Sequence, residues 1–250
     1  MHVLRRDFVP EDLAHELAAA GLDGSIAVQA RQDLAETREL LEFAHTSPVV
    51  RGVVGWLDLC SETLGAQLDE FAGDTALLGV RHIVQDEPDD NFLLRPDFVR
   101  GAQQLRERGL TYDILIYAKH LPVARQFAEQ LSEQPLVLDH LAKPPIAAAE
   151  LEPWATHIRA LAKCENVMCK VSGMVTEANW GEWKPADFRP FLDVVFEAFG
   201  TDRLMFGSDW PVCLLAANYG EVYELVREYA GSDQDALFGG NAARFYGVDA

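Results

Sequence analysis

Long apolar runs are missing from this sequence. None approaches the ~20 residues needed to cross a bilayer. Positive charge is scarce: 21 Lys and Arg stand against 40 Asp and Glu, a net charge of −19. Such a surface repels phosphate backbones and anionic lipid, which argues against nucleic acid and membranes as partners. Cysteine is sparse as well. The four residues, Cys60, Cys164, Cys169 and Cys213, lack the paired spacing of a zinc site, and Cys164 and Cys169 read as adventitious buried thiols. No secretory leader pattern opens the chain, so a reducing cytoplasm is the expected location. Serine-glycine linkers and low-complexity tracts are also absent. The 250 residues therefore read as one domain, 1–250, large enough to bury a full core without staples.

What is present is a regular alternation. Seven short apolar runs recur: 25–30 (SIAVQA), 49–57 (VVRGVVGWL), 77–84 (LLGVRHIV), 113–117 (DILIY), 136–140 (LVLDH), 167–171 (VMCKV) and 203–207 (RLMFG). Most are continuously apolar rather than alternating, the pattern of parallel strands covered on both faces. Helical patterns separate them. DLAETRELLEFAH opens with Asp33 three residues before Glu36, a capping-box spacing. RPDFVRGAQQLRERG has Pro96 near its start and Gly109 at its end. Strand–helix alternation predicts an α/β fold, and this many units in one domain favours a (β/α)8 TIM barrel over a doubly wound sheet. The first clear element is a helix, 10–20, closed by Gly21. The order is thus α(βα)7, one strand short of a barrel, and the basic stretch 1–9 is too short to supply it.

In parallel barrels the active site lies at the C-terminal ends of the strands. The third run is followed by Arg81, His82, Gln85, Asp86 and Glu87. After the fourth come Tyr117, Lys119 and His120, and the fifth ends in Asp139, His140 and Lys143. The sixth carries Lys170 and Ser172, with Glu177 further out, and the seventh ends in Asp209. Polar groups from five strands thus converge on one rim. Each also has a plainer reading. His82 could bond only a neighbouring group, and Lys170, expensive to bury alone, could be satisfied by a structural carboxylate. QDEPDD could be a solvated loop. Trp180 and Trp183 could floor a substrate pocket or merely cover the barrel mouth. His2, His15, His45 and His157 read as surface residues. In RLMFGSDWPV an apolar run delivers Asp209 to the strand exit, and Trp210 and Pro211 fix the turn behind it. A carboxylate held there can take a proton from water.

LLGVRHIVQDEPDDNFLL, LVLDHLAKP, CKVSGMVTEANW and LMFGSDWPV together resemble the amidohydrolase superfamily, in its sugar-lactonase branch. The resemblance spans nearly the whole chain. It implies a (β/α)8 barrel of the metal-dependent-hydrolase type. It implies Asp209 as general base or metal ligand, His140 as its partner in catalysis or metal binding, and Arg81 and His82 as lactone-binding residues. Gln85, Tyr117, Lys143, Lys170, Glu177 and Trp180 are the further candidates for substrate contact. The implied activity is carboxylic-ester hydrolysis: water, activated by general-base catalysis, opens a small-molecule sugar (aldono-) lactone. Two alternatives stay open. The same barrel could run a decarboxylation or open a dicarboxylate lactone, with rim Arg and Lys gripping carboxylates, or it could bind a sugar or a partner without catalysis. The family's first strand carries a His-x-His pair, and this sequence contains none. That absence counts against the divalent metal, zinc, that the family implies, and agrees with the count of seven strands. A barrel lacking its first strand would expose two parallel edges, which suit pairing with a second copy as a homo-oligomer.

Overall fold

The computed structural model describes residues 2–231 and 235–249. Seven strands form its sheet: β1 (Ser25–Val28), β2 (Val50–Gly55), β3 (Leu77–His82), β4 (Thr111–Ile114), β5 (Leu136–Leu138), β6 (Val167–Val171) and β7 (Leu204–Phe206). They lie side by side in chain order, every neighbouring pair parallel. The helices are α1 (Pro10–Ala20), α2 (Leu34–Thr46), α3 (Leu64–Glu70), α4 (Pro96–Glu107), α5 (Leu121–Gln130), α6 (Trp154–Leu161), α7 (Pro185–Phe199), α8 (Tyr219–Ala230) and α9 (Asn241–Tyr246). The α(βα)7 order read from the sequence is the order observed, with one further helix, α9, after it. The architecture is α/β with a curled parallel sheet, in keeping with a TIM-barrel lineage. Among the described residues, β1 pairs only with β2 and β7 only with β6.

Local chemistry explains most boundaries. Pro10 opens α1 at its first position, where a missing N–H costs nothing, and Gly21 closes it in the left-handed region at φ 71°. Asp33 caps α2 by accepting from Ala35 N at 2.9 Å. Glu36 does not complete the expected capping box. Its carboxylate reaches back past the cap to accept from the backbone of Ala30 (3.0 Å) and Arg31 (2.6 Å), tying the exit of β1 to the helix. The fourth strand lies two residues earlier than its apolar run suggests. The ladder with β3 starts at Gly79↔Thr111 and ends at His82↔Ile114, so Leu115 and Ile116 are buried beyond it.

Strand parity sorts the core into two layers. Side chains such as Val80, Tyr112, Leu136, Leu138, Cys169 and Leu204 belong to the large apolar cluster shared with the helices. Phe98 of α4, Tyr112 of β4 and Phe127 of α5 stack there at ring-centroid distances of 5.7–5.9 Å, and such pairs add about 0.5–1.5 kcal/mol each beyond area burial. The opposite parity faces inward. Val54, Val137 and Met205 lie on it and form a second cluster with Tyr246 and with Leu78, where the β2–β3 register shifts, flanked by Ile26, Val28, Met168 and Phe245. The last helix thus closes the floor of the curled sheet.

Candidate active site

Because all strands run the same way, the residues that follow them collect at one end. There the chain departs from ordinary geometry. His140, Leu141, Ala142 and Lys143 are four consecutive left-handed residues, with φ between 51° and 57°. For L-residues this costs about 1 kcal/mol or more apiece, and it holds only where the surroundings over-determine it. Three features do so. Leu141 and Ala142 are fully buried. The Trp154 indole of α6 donates to the Leu141 carbonyl at 2.8 Å, and Lys143 N donates to His140 O at 2.7 Å. The residue before the run, Asp139, is clamped by charge, as described below. The turn aims the His140 ring into the mouth. Asp209, after β7, is the other non-glycine residue of the rim in the left-handed region, at φ 55°.

These two turns bring the side chains together. His140 Nε2 lies 3.7 Å from Asp209 Oδ1, with the two side chains 11% and 16% exposed, so the pair sits at an opening rather than in the sealed core. On its other face, Nδ1 is 2.8 Å from Ser172 Oγ. A carboxylate facing Nε2 favours the proton on that nitrogen, which leaves Nδ1 to accept from the Ser172 hydroxyl. Burial lowers the His140 pKa, against the upward pull of Asp209 and Asp139, so the imidazole is neutral at neutral pH. Gly173 leaves room for the ring: a Cβ there would stand 2.7 Å from His140 Cβ, Cγ and Nδ1.

Glu177, Lys143 and Tyr117 line the same rim. Burial raises the Glu177 pKa, and Asp209 adds to this while Lys143 opposes it. Lys143 Nζ is 5.3 Å from the centroid of the Tyr117 ring, which is 39% exposed. Gln85 donates its backbone N–H to Leu115 O, and its side-chain Oε1 is buried without a partner among the described residues. Trp180 is 51% exposed, with its indole bonded to Thr176 O. Trp183 donates to Ala216 O at 2.9 Å and thereby joins the loop after β6 to the loop after β7. Phe8, ahead of α1, meets the Trp210 ring edge-on at 5.1 Å, beside Asp209.

Arg81, His82 and Lys170 are differently placed. His82 turns outward: its ring bonds Glu87 (2.7 Å) and the Trp56 indole (3.3 Å) and stacks on Phe92. Glu87 and Asp90 of QDEPDD are therefore not merely solvated, since Asp90 bonds Lys119 and His120. Arg81 and Lys170 point into the barrel interior beneath the mouth. Arg81 Nη1 donates to Asp139 Oδ2 at 2.8 Å, and Nη2 bonds the Gln29 carbonyl and its side-chain oxygen. Lys170 Nζ lies 2.5 Å from Asp113 Oδ2 and 2.8 Å from Asp139 Oδ1, the latter an ion pair without hydrogen-bond geometry. Lys170 thus has the partner carboxylates a buried lysine requires, two of them. Asp113 and Gln29 were not singled out from sequence. An acid in the apolar run YDILIY was the only signal, and Gln29 gave none.

His140 and Asp209 are two donors of the kind that hold zinc. Catalytic zinc needs three protein ligands, and among the described residues no group of three or more His, Cys, Asp and Glu side chains stands close enough to hold an ion. The described residues therefore do not make a metal centre by themselves. Two surface hollows lie away from the mouth. One is lined by Cys60, Ser61 and Arg100, and the other, at the opposite strand ends, by Asn166, Arg203 and Arg244.

The chain is similar over nearly its whole length to known proteins. It is 43% identical to an L-fucono-1,5-lactonase of Burkholderia multivorans, covering 99% of this chain and 88% of that protein. It is 36% identical to an L-fucono-1,5-lactonase of Burkholderia ambifaria, covering 100% and 88%. A crystal structure of an amidohydrolase from Burkholderia multivorans with bound Zn superposes with a TM-score of 0.95 at 43% identity, over 100% of this chain and 92% of that one. The amidohydrolase family model matches residues 1–248, and with these strands, this rim and these relatives the chain belongs to the amidohydrolase family.

Proposed function

We propose that this protein hydrolyses a sugar lactone, with Asp209 as the general base. The observation that carries this reading is the pairing of Asp209 with a neutral His140 at the strand exits, each set there by a left-handed turn. Asp209 takes a proton from water, and the water oxygen attacks the ring carbonyl. The Nε2–H of His140 donates to the carbonyl oxygen as charge develops on it, a donor role worth about 3 kcal/mol. Asp209 favours the proton on Nε2, and the Ser172 hydroxyl then donates to Nδ1 and helps orient the ring. The carbon–oxygen bond of the ring then breaks, and the ring oxygen takes the proton that Asp209 removed from water and leaves as the hydroxyl of the opened acid, which returns Asp209 to its carboxylate form. Glu177, Lys143 and Tyr117 stand on the same rim, and with Gln85 and Trp180 they are our candidates for binding the sugar hydroxyls. Arg81 has both Nη groups committed to Asp139 and Gln29, so we assign it to holding the site rather than to the lactone. The two relatives named L-fucono-1,5-lactonase support a neutral deoxysugar lactone over a carboxylated one, and a neutral substrate suits a chain of net charge −19.

We infer that the family's first strand, with its His-x-His, would stand between β1 and β7 and is not among these residues. The unpaired sides of β1 and β7 support it. Zinc binding would need donors from that strand beside His140 and Asp209. Asp209→Asn decides the catalytic assignment. Acid release from neutral aldonolactones, followed by indicator, should fall by a factor of about a hundred or more, with the melting temperature nearly unchanged. Near-wild-type turnover would remove Asp209 from the mechanism, and a preference for carboxylated lactones would favour the alternative substrate class.

A further inference from the structure

The interior charge cluster extends further than its link to the mouth. Asp113 of β4 sits in the sheet two strands from Lys170 and is fully buried. One oxygen takes the Lys170 ammonium at 2.5 Å. Both oxygens also accept from a single hydroxyl, Tyr246 Oη, at 3.1 and 3.0 Å. Tyr246 belongs to α9, is separated from Asp113 by more than half the chain, and enters from the floor of the barrel among Val54, Leu78, Val137 and Met205. Its ring also lies under the Lys170 ammonium, 5.9 Å from Nζ. From there the contacts run without a break. Lys170 reaches Asp139, Asp139 is gripped from its other side by Arg81, and the next residue is His140. The cluster holds two cations and two carboxylates, with one phenol hydroxyl completing the set.

We propose that Tyr246 is a positioning residue for the His140–Asp209 pair, acting through Asp113, Lys170 and Asp139 from the floor of the barrel. The mechanical reason lies in the left-handed turn. Residues 140–143 are unfavourable in that conformation, and the turn begins at Asp139, whose carboxylate is fixed by Lys170 and Arg81. Lys170 is itself shared between Asp139 and Asp113, so its ammonium sits where the two pulls balance. The Tyr246 hydroxyl fixes the Asp113 end of that balance. Removing it leaves a buried carboxylate short of a donor, a poorly tolerated state. Asp113 must then draw on Lys170 more strongly or give up its charge, and either change alters the grip on Asp139. The aromatic body of Tyr246 fills the floor, but its hydroxyl does something packing alone does not require, since a phenylalanine would fill the same space.

The effect on turnover rests on the lactonase reading above, whereas the effect on His140 does not. The test therefore reads both. In protein labelled with ring-15N histidine, the His140 resonances are identified by their loss in His140→Gln. Tyr246→Phe should displace them while those of His45 and His157, on the outer helices, stay in place. Lactone turnover should fall about ten- to a hundredfold in kcat, the scale of a small misplacement of a catalytic group, with KM little changed. Asp113→Asn serves as the second variant and should displace the same resonances. Phe245→Leu, a packing change in the same helix, should lower the melting temperature and leave the His140 resonances where they are. Unmoved His140 resonances in Tyr246→Phe and Asp113→Asn would overturn the proposal, as would an equal displacement in Phe245→Leu. Displaced resonances in a protein that opens no sugar lactone would uphold the positioning role and defeat the lactonase reading.

Discussion

At the scale of single residues, a glycine sets the room that His140 occupies. Gly173 sits at φ 61°, and a methyl group there would overlap the root and ring of His140. The clash is with Cβ and Cγ, not with the free end of a long side chain, so it cannot be relieved by a rotamer change. Gly173→Ala should displace the imidazole and lower kcat about a hundredfold. The fold should lose only on the order of 1 kcal/mol for the unfavourable φ, plus whatever the clash adds. Steady-state kinetics and a denaturant titration on the same sample check this. A variant with normal kcat would show that the structure accommodates the added methyl without moving His140 out of its working position. The sequence showed Gly173 only as part of CKVSGMVTEANW. Nothing there revealed that its missing side chain is the space His140 occupies, because that contact joins the loops after two different strands.

At the scale of elements, α-helices and strands were the most legible part of the chain. Apolar periodicity, Pro at helix starts and Gly at helix ends act over a few residues, and so can be read from a few residues. The exit of β5 was not legible. LDHLAK contains no glycine and gives no turn signal, yet it folds as four left-handed residues. The reason is tertiary: Trp154, the buried pocket around Leu141 and Ala142, and the clamp on Asp139 outweigh local preference. Ala142 isolates that strain. Ala142→Gly relieves one left-handed residue and frees the unfolded chain, two effects of similar size, so stability should stay within about 1 kcal/mol of the wild type. Ala142→Val adds bulk at a fully buried left-handed position and should cost more than about 2 kcal/mol. Urea unfolding midpoints of the three proteins measure both differences. A valine variant as stable as the glycine variant would mean the turn is not under strain.

At the scale of the whole molecule, charge and edges oppose one another. The chain carries a net charge of −19, so copies repel at low ionic strength. Among the described residues, β1 and β7 each leave one side of the sheet unpaired, and unpaired strand edges attract other strands. Salt weakens the first effect and leaves the second. Sedimentation velocity should therefore show a larger share of dimer or higher species at about 0.5 M salt than at about 0.02 M, where screening reaches much further from each charge. A single monomeric boundary at both would show that the edges are not available for pairing.

The sequence by itself determined the order of elements, the absence of a long apolar span, the family, and the set of polar residues delivered to the strand exits. Each of these is written in short stretches of chain: periodicity, composition, or a motif such as GSDWP. Only the tertiary structure decided what those polar residues do. Arg81 and His82 are adjacent in the chain, yet strand parity sends one into the barrel interior and the other outward to Glu87 and Phe92. Lys170 and Asp113 are 57 positions apart and form one ion pair, and Tyr246 joins them across 133. A charge in a low-dielectric interior takes its behaviour from whatever stands within a few ångströms of it. Those neighbours come from five strands and the last helix, and no local pattern in the sequence records which of them meet.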